Sequence, residues 1–374
     1  MRFTIKRDEF LKGLSIASRA VNSKMIADPV LTNLKIELDE RGLFITGSNR
    51  ELTIKSFTPY KRDEVEIIRN FKEGSTLINS KIITEIARKM ESEEITLDVI
   101  DSTIAIISDS KSEYKINCIK SEEYPDLDLE PSGVELSISR NDFSSLVSQT
   151  AFAASLKEQR PILTALNLEA SNGQLTAIAT DAARMAKKQI EIPSNVSFIA
   201  NIPAKTMVEI DHLMEGATIV DIDISDKKAL FVFSGTVVST RMIGGEYPNT
   251  KNIVPKITNY SLEVKSAEFI KAIERANILS IDRENVVDLR MNADSIEVSA
   301  KSSQVGSAVE KIDTFKFDGD NLQISFNSEF VLSAIRSLGC EDVVLEFVGE
   351  MKPFVIKNPN DDSVVQIVTP VRTY

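Results

Sequence analysis

The chain has 374 residues, 44 basic and 56 acidic, for a formal net charge of −12 and a pI near 4.9. Its 42% hydrophobic and 27% charged composition excludes collagen-like, wholly disordered and small disulfide-scaffold classes, and its length favours two or three domains. No run approaches the ~20 apolar residues of a membrane span, and Cys118 and Cys340 lack the spacing of a zinc or redox pair.

The chain opens on Arg2-Phe-Thr-Ile-Lys-Arg-Asp, where Phe3 and Ile5 alternate with polar residues as in a strand with one buried face. It lacks the apolar core of a signal peptide, so the product is expected in the cytosol. A helix is predicted next, because Phe10, Leu14, Ala17 and Val21 recur at i, i+4, i+7 and i+11. Alternating strands such as 34–38 follow, separated by turn signals including Glu40-Arg-Gly42, and 59–63 reads as a connector. The segment Asn79 to Met90 predicts a short helix with Ile82, Ile83, Ile86 and Met90 on one side and Lys81, Arg88 and Lys89 on the other. Strands at 95–99 and 103–107 come next, then Glu123-Tyr-Pro-Asp and a connector at 129–133.

The same order then returns twice. Phe3, Leu136 and Leu262 occupy equivalent positions, as do Ile5, Ile138 and Val264, at offsets of 133 and 126. Asn79, Pro203 and Asn327 open three related helical segments at offsets of 124 and 124, and Glu246-Tyr-Pro-Asn and Thr369-Pro-Val-Arg close the second and third units. Another connector falls at 252–259. The expectation is an α+β fold of three similar domains at 1–130, 131–255 and 256–374, each with two helices backing antiparallel sheets.

Chemistry-bearing motifs are sparse. The one histidine, His212, stands beside Asp211 on a predicted helix, and no phosphate-binding loop, dinucleotide fingerprint, zinc-protease or nucleophile-elbow motif occurs. Asp221 with Asp223 and Asp98 with Asp101 are carboxylate pairs of a kind that strands and turns commonly carry. No catalytic activity, metal or cofactor is expected.

Thr180-Asp-Ala-Ala-Arg-Met185, Gln159-Arg-Pro-Ile-Leu163, Glu246-Tyr-Pro248 and the terminal Thr369-Pro-Val-Arg-Thr-Tyr374, in order and at the ends of three repeats, resemble the bacterial sliding clamps, the β subunits of replicative DNA polymerase III. The resemblance covers the whole chain. It implies a ring-shaped head-to-tail homodimer around duplex DNA, with helices lining the hole and sheets outside, held in place without sequence-specific contacts. It also implies that polymerase, clamp loader and repair proteins dock by short linear peptides, with no membrane involved.

Residues transfer by the same resemblance. Lys24, Lys157 and Lys205 are the implied DNA contacts, among helix-associated basic residues that also include Lys12, Arg19, Lys271, Arg275 and Arg336. Met25 stands where the family often has arginine. The implied peptide groove is Leu163, Thr180, Ala182, Ala183, Arg184, Met185, Pro248, Asn252, Ile253, Pro353, Thr369, Pro370, Val371 and Arg372. Ala182 and Ala183 replace a small residue and a histidine, and Thr369 replaces a larger apolar residue. The implied dimer seam sets Lys81, Lys111, Tyr114 and Ile116 of one chain against Ile278 and Leu279 of the other, with Glu310 as the main acidic residue nearby. A repeat scaffold that binds peptides without nucleic acid is the alternative that the repeat pattern by itself also permits.

Overall fold

The computed structural model describes residues 1–21, 28–281 and 285–372. Its six helices, among the described residues, are α1 (Arg7–Val21), α2 (Ser80–Lys89), α3 (Arg140–Ser148), α4 (Ala204–Leu213), α5 (Ser266–Asn277) and α6 (Ser328–Leu338). The odd-numbered helices follow directly on the strands Arg2–Lys6, Val134–Ser139 and Tyr260–Lys265, and the even-numbered ones fall on the second recurring landmark. Asn79 and Asn327 start α2 and α6 by accepting the otherwise unpaired amides of Ile82 (3.2 Å) and of Glu329 (3.0 Å) and Phe330 (3.4 Å). Gly339, at φ 61°, ends α6 in the left-handed conformation that glycine adopts without a Cβ penalty.

Chain contacts divide the protein into two compact units, Met1–Arg140 with His212–Arg241, and Asn141–Asp211 with Met242–Tyr374. In the first, a five-stranded antiparallel sheet runs in the order Glu113–Asn117, Ile104–Ser108, Glu94–Ile100, Arg2–Lys6, Ile68–Lys72. Its eight-stranded partner joins strands of two sequence repeats, because Thr236–Arg241 pairs with Leu52–Pro59. Phe10, Leu14 and Ala17 of α1 are fully buried against this core together with Ile83 and Ala87 of α2. Gly47 admits α1 closely, since a Cβ there would lie 2.2 Å from the Ala17 carbonyl oxygen.

The second unit holds a nine-stranded sheet in which Arg184–Glu191 pairs with Asp361–Val368, again joining strands of different repeats. Its four-stranded sheet ends on the edge strand Gly306–Ile312. Phe269, Ala272, Ile273 and Ala276 of α5 and Val331, Leu332 and Ile335 of α6 are buried in one core with both sheets.

Three local expectations are corrected. Ile82 is 48% exposed while Thr84 and Ala87 take the buried side of α2, because the stripe follows Ile83 rather than its neighbour. Lys61–Arg62, inside the segment read as a connector, pairs with Val65–Glu66 just beyond it as a two-stranded ribbon. Lys157 lies in a loop rather than with a helix, since α3 ends at Ser148 and only 3₁₀ turns follow before the strand Ala165–Ser171.

Candidate partner groove and DNA-facing residues

The turn Asp181–Ala183 is built by one carboxylate. Asp181 accepts the amides of Ala183 and Arg184, each at 2.9 Å, and the Arg184 Nε at 3.0 Å. Thr180 supports the same turn, its hydroxyl donating to the Arg184 carbonyl at 2.6 Å and accepting the Ala182 amide at 3.1 Å. Ala182 consequently sits at φ 77°, a region that L-residues seldom occupy. The Arg184 guanidinium, with its side chain only 15% exposed, lies 4.6 Å from the Phe330 ring centre and 5.6 Å from that of Phe152. Two aromatic faces and a carboxylate thus hold it flat.

The C-terminal segment is laid against this turn. The Thr369 amide and hydroxyl both donate to the Ala183 carbonyl, at 2.9 and 2.8 Å, and the Val371 amide donates to the Ser325 carbonyl at 2.8 Å. Beneath it, Ile178, Met185 and Ile367 form a small apolar cluster against Tyr247, Val254 and Val365. Burial pushes the Tyr247 phenol above its ordinary pKa. Val371 and Arg372 also border a hollow of about 500 Å³ with Gln323, Ser325, Glu350 and Met351.

Of the residues carried over to the groove, Thr180, Ala182, Ala183, Arg184, Met185 and Thr369 are brought together by these bonds and pairings. Leu163 is buried in the 3₁₀ turn Pro161–Thr164. Ile253 is 39% exposed, Asn252 and Arg372 are exposed, and Pro248, Pro353, Pro370 and Val371 are half-buried. Sequence reasoning missed Phe152, Phe330, Asp181 and Ile367. Asp181 was within the quoted motif and its spacing to two following amides is an Asx-turn signal; the two phenylalanines come from distant segments and no local pattern marks them.

A matching turn stands in the other unit. Asn49 accepts the amides of Glu51 (3.0 Å) and Leu52 (2.8 Å), Ser48 accepts that of Arg50 (3.1 Å), and Arg50 has φ 74°. There Arg50 is ion-paired to Asp28 at 2.9 Å, and Leu31, Leu77 and Tyr124 form the local cluster.

Among the implied DNA contacts, Lys157 and Lys205 are exposed, the latter in the first turn of α4, and Lys24, like Met25, lies outside the described residues. Several other helical cations are neutralised within the chain: Arg88 by Glu85, Arg336 by Glu274, and Arg275 by Glu310 at 2.5 Å. Glu310 is therefore committed inside its own chain. Lys111 pairs with Glu91 at 2.8 Å, Lys81 is exposed, and Tyr114 (39% exposed) and half-buried Ile116 lie on the edge strand Glu113–Asn117. Ile278, just past α5, is 69% exposed and Leu279 half-buried. Ile82, Ile281 and Val309 are further exposed apolar residues near these positions in the chain.

The carboxylate pair Asp221 and Asp223 has structural employment. Asp223 accepts the amides of Ser132 (3.1 Å) and Gly133 (2.9 Å), and Asp221 accepts the Ser137 hydroxyl at 2.5 Å. Among the described residues no three of His, Cys, Asp and Glu gather as a metal site, and no helix is long and apolar enough to cross a membrane.

Three repeats of paired helices on antiparallel sheets, with a C-terminal segment bonded to the turn at Ala183, define a protein of the DNA clamp class. Family models for the DNA polymerase III beta subunit match in series: the N-terminal domain at residues 1–128, the central domain at 137–249 and the C-terminal domain at 251–372. The beta sliding clamp of Bacillus subtilis (strain 168) is 33% identical over 379 residues, with all of both chains covered. A solved DNA polymerase sliding clamp from Bacillus subtilis (32% identity) and a solved DNA polymerase III beta chain from Streptococcus pneumoniae TIGR4 (27%) each superpose at TM-score 0.95 with full coverage of both chains. The chain belongs to the DNA polymerase III beta subunit family, the beta sliding clamps of DNA replication. The scaffold without nucleic acid is thereby disfavoured.

Proposed function

We propose that two copies of this chain close head to tail into a ring that encircles duplex DNA in the cytoplasm and tethers the polymerase through the groove at Arg184. The protein acts as a processivity subunit without catalysis of its own. Its three domains are 1–130, 131–255 and 256–374, and neighbouring domains share sheets. Lys24, Lys157 and Lys205 face the DNA. Clamp-loader and repair proteins use the same groove by short linear peptides.

The observation that carries the groove is the C-terminal segment bonded to Ala183 and Ser325 beside an arginine already flattened against two rings. Such a site has fixed walls and a small set of polar groups, which suits an extended apolar peptide. The seam reading is supported by two edge strands, Glu113–Asn117 and Gly306–Ile312, which present unpaired backbone groups together with exposed Tyr114 and Val309. Pairing them between copies would extend both sheets.

The test is deletion of residues 369–374. Loss of one wall should weaken a fluorescent partner peptide by at least ~2 kcal/mol, about 30-fold, while the mass in solution stays near 83 kDa, twice 41.5 kDa. Unchanged peptide affinity in an intact dimer rejects the groove. A truncated chain that falls to monomers shows that the segment belongs to the seam instead.

A further inference from the structure

The corner where each repeat's first helix begins is built the same way three times. The amide of the first helical residue donates to a carbonyl beyond the second helix: Arg7 to Glu93 (2.8 Å), Arg140 to Thr218 (2.9 Å) and Ser266 to Glu341 (2.8 Å). The first two repeats place arginine at this position. Arg140 turns its Nε onto the Met214 carbonyl, just past α4, at 3.3 Å, and Arg7 keeps its Nε buried with its side chain 29% exposed. The third repeat has serine, and there a hollow of about 610 Å³ opens between the start of α5 and the end of α6. That volume is in the range of small-ligand sites.

The lining matches what is missing. Ile270 and Ile335 offer apolar walls for a methylene stem, and Glu268 borders the hollow, which also adjoins the C-terminal end of α6, whose carbonyls favour a cation. The Ser266 hydroxyl is buried, with its residue 7% exposed; it has no nitrogen or oxygen partner and meets only the Cys340 thiol, which leaves its lone pairs open to an N–H donor. The two cations on the rim are already engaged, Lys265 with Glu341 (3.0 Å) and Asp342 (2.9 Å), and Arg336 with Glu274. We propose that this hollow is a binding site for a guanidinium group on an aliphatic stem, entering where the other two repeats hold their own arginine.

Half-buried Cys340 lines the same hollow and reports on its occupancy, with buried Cys118 as an internal control. The full-length chain is alkylated with iodoacetamide at fixed ionic strength, and labelling of Cys340 is followed by peptide mass. Added n-butylguanidinium should slow that labelling at least threefold in a saturable way, whereas n-butanol should not. An acetylated Gly-Arg-Gly amide separates the sources: protection by it identifies an arginine borne by a partner, and protection by n-butylguanidinium alone identifies a small molecule. Ser266→Arg should label slowly without ligand and show no further protection. The proposal is overturned if n-butylguanidinium leaves the rate unchanged, if n-butanol protects equally, or if Ser266→Arg is protected as well as the parent. The titration of the unsubstituted chain decides the matter even where Ser266→Arg fails to fold.

Discussion

Asp181 is acceptor-only when ionised, and it spends both oxygens on three donors within three residues of itself. Asp181→Ala therefore releases two amides and the Arg184 side chain together. The expected cost is about 2 kcal/mol by chemical denaturation, with peptide affinity falling alongside, and an unchanged midpoint would refute the account of the turn. Ala182, at φ 77°, gives a second handle. Ala182→Val should destabilise by about 1–2 kcal/mol, because a β-branched residue tolerates that conformation poorly. Ala182→Gly should stay within ~0.5 kcal/mol, relief of strain being offset by a freer unfolded chain. Equal effects from the two substitutions would mean that backbone conformation is not what this position controls.

At the scale of elements, the joint between Arg184–Glu191 and Asp361–Val368 carries a nearly buried cation. Lys188, with its side chain 9% exposed, donates to Asp361 at 2.9 Å and Ser363 at 2.6 Å. Burial by itself would raise the Asp361 carboxyl, but hydrogen bonds from Ser363 and Lys188 outweigh it and hold the pKa below its ordinary value. A carboxyl depressed in the folded state contributes stability that is present above its unfolded pKa of ~3.9 and lost as pH falls through the folded value. Below about pH 4 the parent should accordingly lose unfolding free energy more steeply than Asp361→Asn. Matching slopes in acid would contradict the assignment. Lys188→Ala, which leaves Asp361 without its cation, should cost about 2 kcal/mol at neutral pH, less than a fully buried pair because Asp361 is a third exposed. Since this joint ties strands of two repeats, the loss should appear in global unfolding and not only at the groove.

For the whole molecule, a ring that slides needs a durable seam and weak DNA contacts. Exposed Ile278 and Val309 suit the first requirement better than Glu310, which Arg275 already engages. Ile278→Asp together with Val309→Glu should halve the mass seen by light scattering while leaving the circular dichroism of each chain intact, whereas raising salt should change the mass little. A dimer that survives both charges would relocate the seam. DNA binding should behave in the opposite way, weakening steeply with salt. Lys24, Lys157 and Lys205 changed together to glutamate should lower retention on duplex DNA without splitting the dimer, and unaltered retention would show that other cations face the DNA.

The sequence by itself determined the threefold repeat, the paired helices on antiparallel sheets and the family, because period-3.6 and period-2 burial patterns and recurring landmarks are local signals copied three times. The Asp181 turn, though not anticipated, is of the same local kind, since an Asx turn is written in adjacent residues. Only tertiary structure decided that Ile82 faces out, that Phe152 and Phe330 flank Arg184, and that neighbouring repeats share sheets through Leu52–Pro59 with Thr236–Arg241 and Arg184–Glu191 with Asp361–Val368. These follow from which faces and edges meet across long separations in the chain. The hollow beside Ser266 is of the same kind: the serine was visible in the repeat alignment, but the space it leaves depends on where α6 ends against α5.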